Sequence, residues 1–249
     1  DLVRSRGLGD VYKRQLLLCV AGSVSAQAEW ALAAYVGGTH SAETYLAIAQ
    51  PSRSTQLTFD GVRYSGESFV GPIYYGVRSG YFFPFASFLG VEVEFIHQKI
   101  FADTTRQVLV RGTYGGVPIS QQMPMKQIVQ GFSISHGLNY LLINAVVRHR
   151  LGRTAAHPRG RLILVGRIGA GPSIPHPESA IDGVGLQHYE AGAAALHLAG
   201  GAEIHLWRGL YALGEYKFTR SRQSVEVVAG TAQTLLRSHH GVFGLAYHF

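Results

Sequence analysis

The sequence predicts an all-β protein, an eight-stranded antiparallel transmembrane β-barrel with long extracellular loops and short periplasmic turns. Three observations carry that prediction. Apolar and polar residues alternate with period two through most of residues 29–249, the spacing that sends successive side chains to opposite faces of a strand. Charged residues make up 15% of the 249-residue chain and hydrophobic ones 47%, whereas soluble domains average about 25% charged. Beyond the N-terminal region, no run reaches the roughly 18 uncharged apolar residues that a membrane helix needs. The longest, "AGAAALHLAGGAEIHLW", is interrupted by His197, Gly200, Gly201, Glu203 and His205.

The N-terminus divides into two parts. Residues 1–15, "DLVRSRGLGDVYKRQ", lack an initiator Met and carry two Asp, and read as a non-native assembly artefact. Residues 16–28 read as a signal-peptide core and cleavage site: Lys13 and Arg14 precede "LLLCVAGSV", and "AQA" ends at Ala28. Residues 29–249 are then one exported domain. The single cysteine, Cys19, lies in the signal core behind Leu18, which suits neither a disulfide nor a thiolate metal site in the mature chain. That mature chain has 18 basic and 13 acidic residues, a formal +5. The excess is scattered rather than gathered, which argues against nucleic acid and for an anionic lipid or lipopolysaccharide surface.

Eight alternating segments follow, at about 30–40, 68–83, 87–101, 136–150, 160–174, 192–207, 210–222 and 234–249. The connections alternate in length, with long ones at 41–67, 102–135, 175–191 and 223–233 and short ones at "PFAS", "LGRTAAHPRG" and "RG", as outer-membrane barrels alternate extracellular loops with periplasmic turns. Each segment has an apolar face. Leu89, Val91, Val93 and Phe95 oppose Glu92, Glu94 and Gln98; Leu141, Ile143, Ala145 and Val147 oppose Asn144, Val146 and Arg148; Ala212, Gly214, Tyr216 and Phe218 oppose Glu215 and Lys217. Aromatics including Trp30, Tyr81, Phe83, Trp207, Tyr247 and Phe249 sit near segment ends, as interfacial girdles do. The opposite face gathers Glu92, Glu94, Arg148, Arg161, Arg167, Glu203, Glu215 and Lys217. An eight-stranded lumen is little wider than its own side chains, so this set predicts an ion-paired plug and no pore. Because an open sheet edge has no partner in lipid, the last strand must pair with the first. Phe249 then closes the last strand, and this C-terminal aromatic with apolar residues at alternate positions before it resembles the signal that barrel-assembly machinery reads in outer-membrane proteins, which implies an assembly role for Phe249.

No Walker loop, HExxH, CxxC or GxSxG occurs, and "GRIGAG" lies in a strand pattern with no following helix. Five stretches in order, "GESFVGPIYYGVR", "VEVEFIHQKIFAD", "HGLNYLLINAVVR", "GAGPSIPHPE" and "LYALGEYKFT", resemble the lipid A oxidase family of outer-membrane proteins and its small-barrel relatives. The resemblance runs from about Trp30 to Phe249 and implies oxygen-dependent oxidation of the proximal glucosamine of lipid A. The insertion "TTRQVLVRGTYGGVPISQQMPMKQ" departs from the family pattern. Position along the segments supplies candidates at the extracellular rim: His97, His176 and Glu178 as catalytic residues, and Lys99, His136 and Asn139 for substrate. Rim imidazoles beside a carboxylate also suit a divalent metal. The sequence thus leaves two functions open, a lipid A-modifying oxidase-like enzyme and a non-enzymatic monomeric barrel with a structural, adhesion or loop-binding role.

Overall fold

The computed structural model describes residues 28–190 and 192–249, so the readings of 1–15 as extraneous and of 16–27 as a signal core lie outside the described residues. The described residues form thirteen antiparallel strands and two short 3-10 turns, Pro51–Arg53 and Met125–Gln127. The strands are β1 (Glu29–Gln50), β2 (Thr55–Ser65), β3 (Tyr75–Phe83), β4 (Ala86–Ala102), β5 (Gln107–Tyr114), β6 (Val117–Pro124) and β7 (Val129–Leu151). They continue as β8 (Leu162–Pro175), β9 (Glu178–Ile181), β10 (Val184–Gln187), β11 (Ala194–Trp207), β12 (Leu210–Val227) and β13 (Gly230–His248).

Eight of these strands pair in a ring that returns on itself. β1 pairs with β3, β3 with β4, β4 with β7, β7 with β8, β8 with β11, β11 with β12, β12 with β13, and β13 with β1. Closure leaves these strands without an unpaired edge. Short turns join β3 to β4, β7 to β8 and β11 to β12 at one end. At that end Trp30 meets Tyr81 edge-on at 5.1 Å, Tyr81 meets Phe83 at 5.8 Å, and Tyr247 meets Phe249 at 4.9 Å.

The alternation read from sequence sets the two faces. Outside lie Leu32, Val77, Val91, Val93, Ile143, Ile168, Leu198 and Leu245, all well exposed, while Arg78, Glu92, Glu94, Arg167, Glu203 and Lys217 are buried inside. Close packing of the Tyr35 ring over its register partner on the neighbouring strand explains Gly76, where an added Cβ would lie 2.2 Å from that ring.

Beyond the ring, the structure departs from the expected loops, because those segments carry strand periodicity of their own. Residues 41–67 continue β1 and add β2, 102–135 form the β5–β6 hairpin and the start of β7, 175–191 hold the β9–β10 hairpin, and 223–233 extend β12 and β13 around a two-residue turn. Conversely, the segment expected from 68 starts as strand only at Tyr75. Pro72, which cannot donate a ladder hydrogen bond, lies in the turn before it. Outward positions change character along the same strands. On β12, Tyr216 and Phe218 give way to Arg220, Arg222, Ser224 and Glu226; on β13, Phe243 gives way to His239, Arg237, Gln233 and Thr231. The extension has its own apolar core, including Leu46, Ile48, Phe59, Val110, Phe132 and Leu236, all buried. Burying such side chains contributes about 1.5–3 kcal/mol each before the entropic cost of ordering them.

Candidate functional site

Two polar assemblies stand out, one inside the ring and one where the ring meets the extension. Inside, the inward positions of β3, β4, β8, β11 and β12 bring acidic and basic side chains to one level. Arg167 Nε donates to Glu92 Oε2 at 2.5 Å, and its Nη1 pairs with Glu215. Arg78 Nη1 donates to Glu215 Oε1 at 3.1 Å. Lys217 Nζ bridges Glu94 Oε1 at 2.6 Å and Glu215 Oε1 at 2.5 Å. Glu94 also accepts from the Tyr35 hydroxyl at 2.6 Å and from Asn144 Nδ2 at 2.9 Å, and Asn144 Oδ1 lies 2.9 Å from His197 Nδ1.

A second knot lies toward the turn end. His248 contacts Glu29 through Nδ1 at 2.8 Å and Glu203 through Nε2 at 2.7 Å, while Arg148 donates to Glu29 at 2.6 Å and stacks 3.3 Å over the Phe82 ring. Arg150 pairs with Glu29 as well. Five carboxylates (Glu29, Glu92, Glu94, Glu203 and Glu215) therefore face five cations (Arg78, Arg148, Arg150, Arg167 and Lys217), which meets the requirement that buried charges be paired. The space among Arg78, Phe82, Glu92, Arg148, Arg167, Glu203 and His248 amounts to about 10 Å³, room for one water at most.

One sequence assignment inside the ring is corrected. Arg161 is exposed, because β8 begins at Leu162 and Arg161 belongs to the preceding turn, where its backbone N–H donates to Leu151 O. Arg148 is buried as expected, but its partner is Glu29 and not the central carboxylates. Alternation places Asn144 on the inner face without revealing what it touches, and Arg78, His197 and His248 join it there. Tyr35 and Glu29 carried no chemical signal in sequence.

The rim assembly is made by a bulge. Between the pairs Gln98↔Leu138 and Ile100↔Ile134, β4 supplies one residue, Lys99, and β7 supplies three, Ser135, His136 and Gly137. Such an excess turns a side chain out of the ladder, and Gly137 accommodates it with φ +136, a conformation that side chains other than glycine's rarely adopt. His176 is docked beside the bulge by its backbone N–H, which donates to Gly137 O at 3.0 Å. Glu178 opens β9 and pairs in register with Ser133 of β7. His136, His176 and Glu178 thereby offer three ligand atoms within 4.8 Å of one another. His136 Nδ1 pairs with Glu178, and the His136 and His176 rings meet edge-on at 4.9 Å. The buried His176 ring also lies 4.0 Å from that of Tyr189, and its Nδ1 has no hydrogen-bond partner among the described residues.

The six rim candidates thus separate into three groups. His136, His176 and Glu178 converge. His97 and Asn139 form a distinct pair, Nδ1 to Oδ1 at 2.8 Å, with the His97 ring stacked on Tyr75. Lys99 is buried and donates to Val70 O at 2.8 Å, so its amine is turned inward to backbone and away from solvent. Glu178 also borders an open groove of about 570 Å³ lined by Phe101, Gln130, Phe132, Ser133 and Leu186. Tyr189 escaped sequence reasoning because it lies in a connection with no periodicity.

No protein-family model matches the chain, and no curated protein matches it significantly in sequence. Among solved structures, the chain is similar to Neisserial surface protein A, at 9% identity over 90% of this chain and 99% of that one, with a TM-score of 0.40. It is likewise similar to the outer membrane protein OprG of Pseudomonas aeruginosa, at 9% identity over 89% and 95%, with a TM-score of 0.42. Ail of Yersinia pestis, solved with the heparin analogue sucrose octasulfate, aligns at 10% identity over 89% and 97%, with a TM-score of 0.35. The strand pairings, rather than these distant likenesses, define the closed antiparallel ring described above.

Proposed function

We propose that the chain is an eight-stranded β-barrel of a Gram-negative outer membrane, sealed to solutes and acting through the β-structure it raises outside the bilayer. The observation that carries this is the closed ring of eight strands, apolar outside and filled with paired charge inside. Water would reward the reverse arrangement, whereas lipid requires a closed ladder and an apolar exterior. The switch to Arg220, Arg222 and Arg237 outside the belt supports an upper membrane boundary there, where cationic side chains suit anionic lipopolysaccharide. Lipid is then the partner of the belt, β13 the strand read by the insertion machinery, and the monomer the working unit. The extension, a rigid strand assembly with its own core, favours a non-enzymatic structural or binding role.

The barrel reading is tested by refolding into lipid vesicles. An unheated sample should migrate differently from a boiled one on a denaturing gel, and planar bilayers should carry no current above background. Identical migration from a membrane-inserted sample would refute the barrel, and a steady ohmic conductance would refute the plug.

A second reading, oxidation of lipid A at the rim, draws on the convergence of His136, His176 and Glu178 beside the belt. Expression in a Gram-negative host should then yield lipid A heavier by one oxygen taken from water, with dioxygen as the oxidant reduced to peroxide. Unaltered lipid A from an aerobically grown, correctly assembled strain would exclude it.

A further inference from the structure

We propose that His136, His176 and Glu178 form a binding site for a first-row divalent cation of the zinc type. The ligand atoms lie within 4.8 Å of one another. Zinc bonds of about 2.0–2.2 Å in tetrahedral geometry require separations of roughly 3.4 Å, so the ligands must rearrange by about an ångström, the His136–Glu178 pair opening from its present direct contact. His136 can supply that movement, because its side chain is 58% exposed on the bulge. The other two ligands are held: His176 by its backbone bond to Gly137 and by Tyr189, Glu178 by the first register pair of β9.

An independent observation points to a missing partner. His176 is 6% exposed and its Nδ1 finds no hydrogen bond among the described residues, although a buried ring nitrogen left unpaired is costly. Unpaired ring nitrogens also occur at His97 Nε2, His197 Nε2 and His240 Nδ1, but among the described residues only His176 has a second imidazole and a carboxylate grouped within ligand reach. A cation would satisfy His176 and would separate the His136 and Glu178 side chains, which now lie in direct contact. Two imidazoles and one carboxylate select zinc, cobalt or nickel over calcium or magnesium, which prefer all-oxygen sets. Three protein ligands leave a fourth position for water or an anionic oxygen. Of the three ligands, Glu178 also borders the groove beside β9 and β10. The ion would also tie β7 to the β8–β9 connection, clasping the extension to the ring.

This proposal is independent of the membrane reading and is tested on the refolded full chain. Zinc titrated calorimetrically should bind in the micromolar range or tighter with one equivalent, and cobalt should give the intense visible absorption of a tetrahedral site. His136→Ala, which alters only an exposed side chain, and Glu178→Gln should each weaken binding at least about tenfold. His97→Ala should leave it unchanged. So should His188→Ala, although His188 Nε2 lies 3.5 Å from Glu190 and 3.7 Å from Glu226. Heat-modifiable migration of each variant, matching wild type, would report intact folding. The absence of saturable zinc binding in the wild type would overturn the proposal, as would equal affinity in His136→Ala and Glu178→Gln.

Discussion

Ile168 offers the sharpest perturbation of the outer face. It stands mid-strand on β8, with Leu162 and Leu164 toward the turn end and Ala170 and Ile174 toward the rim, and it pairs in register with Ala145 of β7 and Leu198 of β11. Its side chain is 62% exposed, so Ile168→Arg removes little packing and creates no clash inside. In water such a surface change stays within about 0.5 kcal/mol of neutral. At the midplane of a bilayer an outward Arg costs about 2–4 kcal/mol, which lowers the folded-to-unfolded ratio roughly 30- to 700-fold. Gln233→Arg, on an outward position of β13 in the extension, is the control and should stay within about 0.5 kcal/mol. The assay is reversible denaturant unfolding from lipid vesicles, read by the two tryptophans, Trp30 and Trp207, which both face outward. Equal midpoints for Ile168→Arg and Gln233→Arg would refute the lipid-facing assignment.

Other expectations follow from the interior. Arg167→Met leaves Glu92 and Glu215 short of a partner and should destabilise by about 3–5 kcal/mol in the same unfolding assay. Lys217→Met and Glu94→Gln should cost less together than the sum of the two singles, with a coupling of about 0.5–3 kcal/mol, because each removes the other's partner. Gly76→Ala must displace the Tyr35 ring and should cost about 1–3 kcal/mol; Tyr35→Phe in the same chain will not relieve it, since the ring atoms remain. Phe59→Ala should cost the extension about 3–5 kcal/mol, seen as new protease cuts in residues 41–65 and 103–131 while the ring keeps its heat-modifiable migration.

Much of the ring was legible because period-two alternation is a direct consequence of strand geometry. Glu92 and Glu94 with Val91 and Val93, or Ala246 and His248 with Leu245 and Tyr247, fall on the faces that alternation assigns. The extension was not legible as strands. Its outward positions are mostly polar and its inward ones mix apolar residues with Gln223, Thr234 and Ser238, and without the lipid-facing half of the signal Leu46, Phe59 and Val110 read as loop. Arg161 misled because periodicity cannot tell the last residue of a turn from the first of a strand. At the rim, sequence brought forward His136, His176 and Glu178, and separately His97, Asn139 and Lys99. Their grouping depends on one bulge, three residues against Lys99, and bulges leave no periodic trace.

The account rests on the outer face of the ring meeting lipid. Residues 28–249 contain no cysteine, so single cysteines placed in turn from Gly241 to His248 can carry a nitroxide label in vesicles. Collision with dissolved oxygen should peak at 243, 245 and 247 and fall at 242, 246 and 248, with the water-soluble collider low at the peaks. Uniform accessibility along the strand, or peaks for the water-soluble collider at 243 and 245, would contradict it.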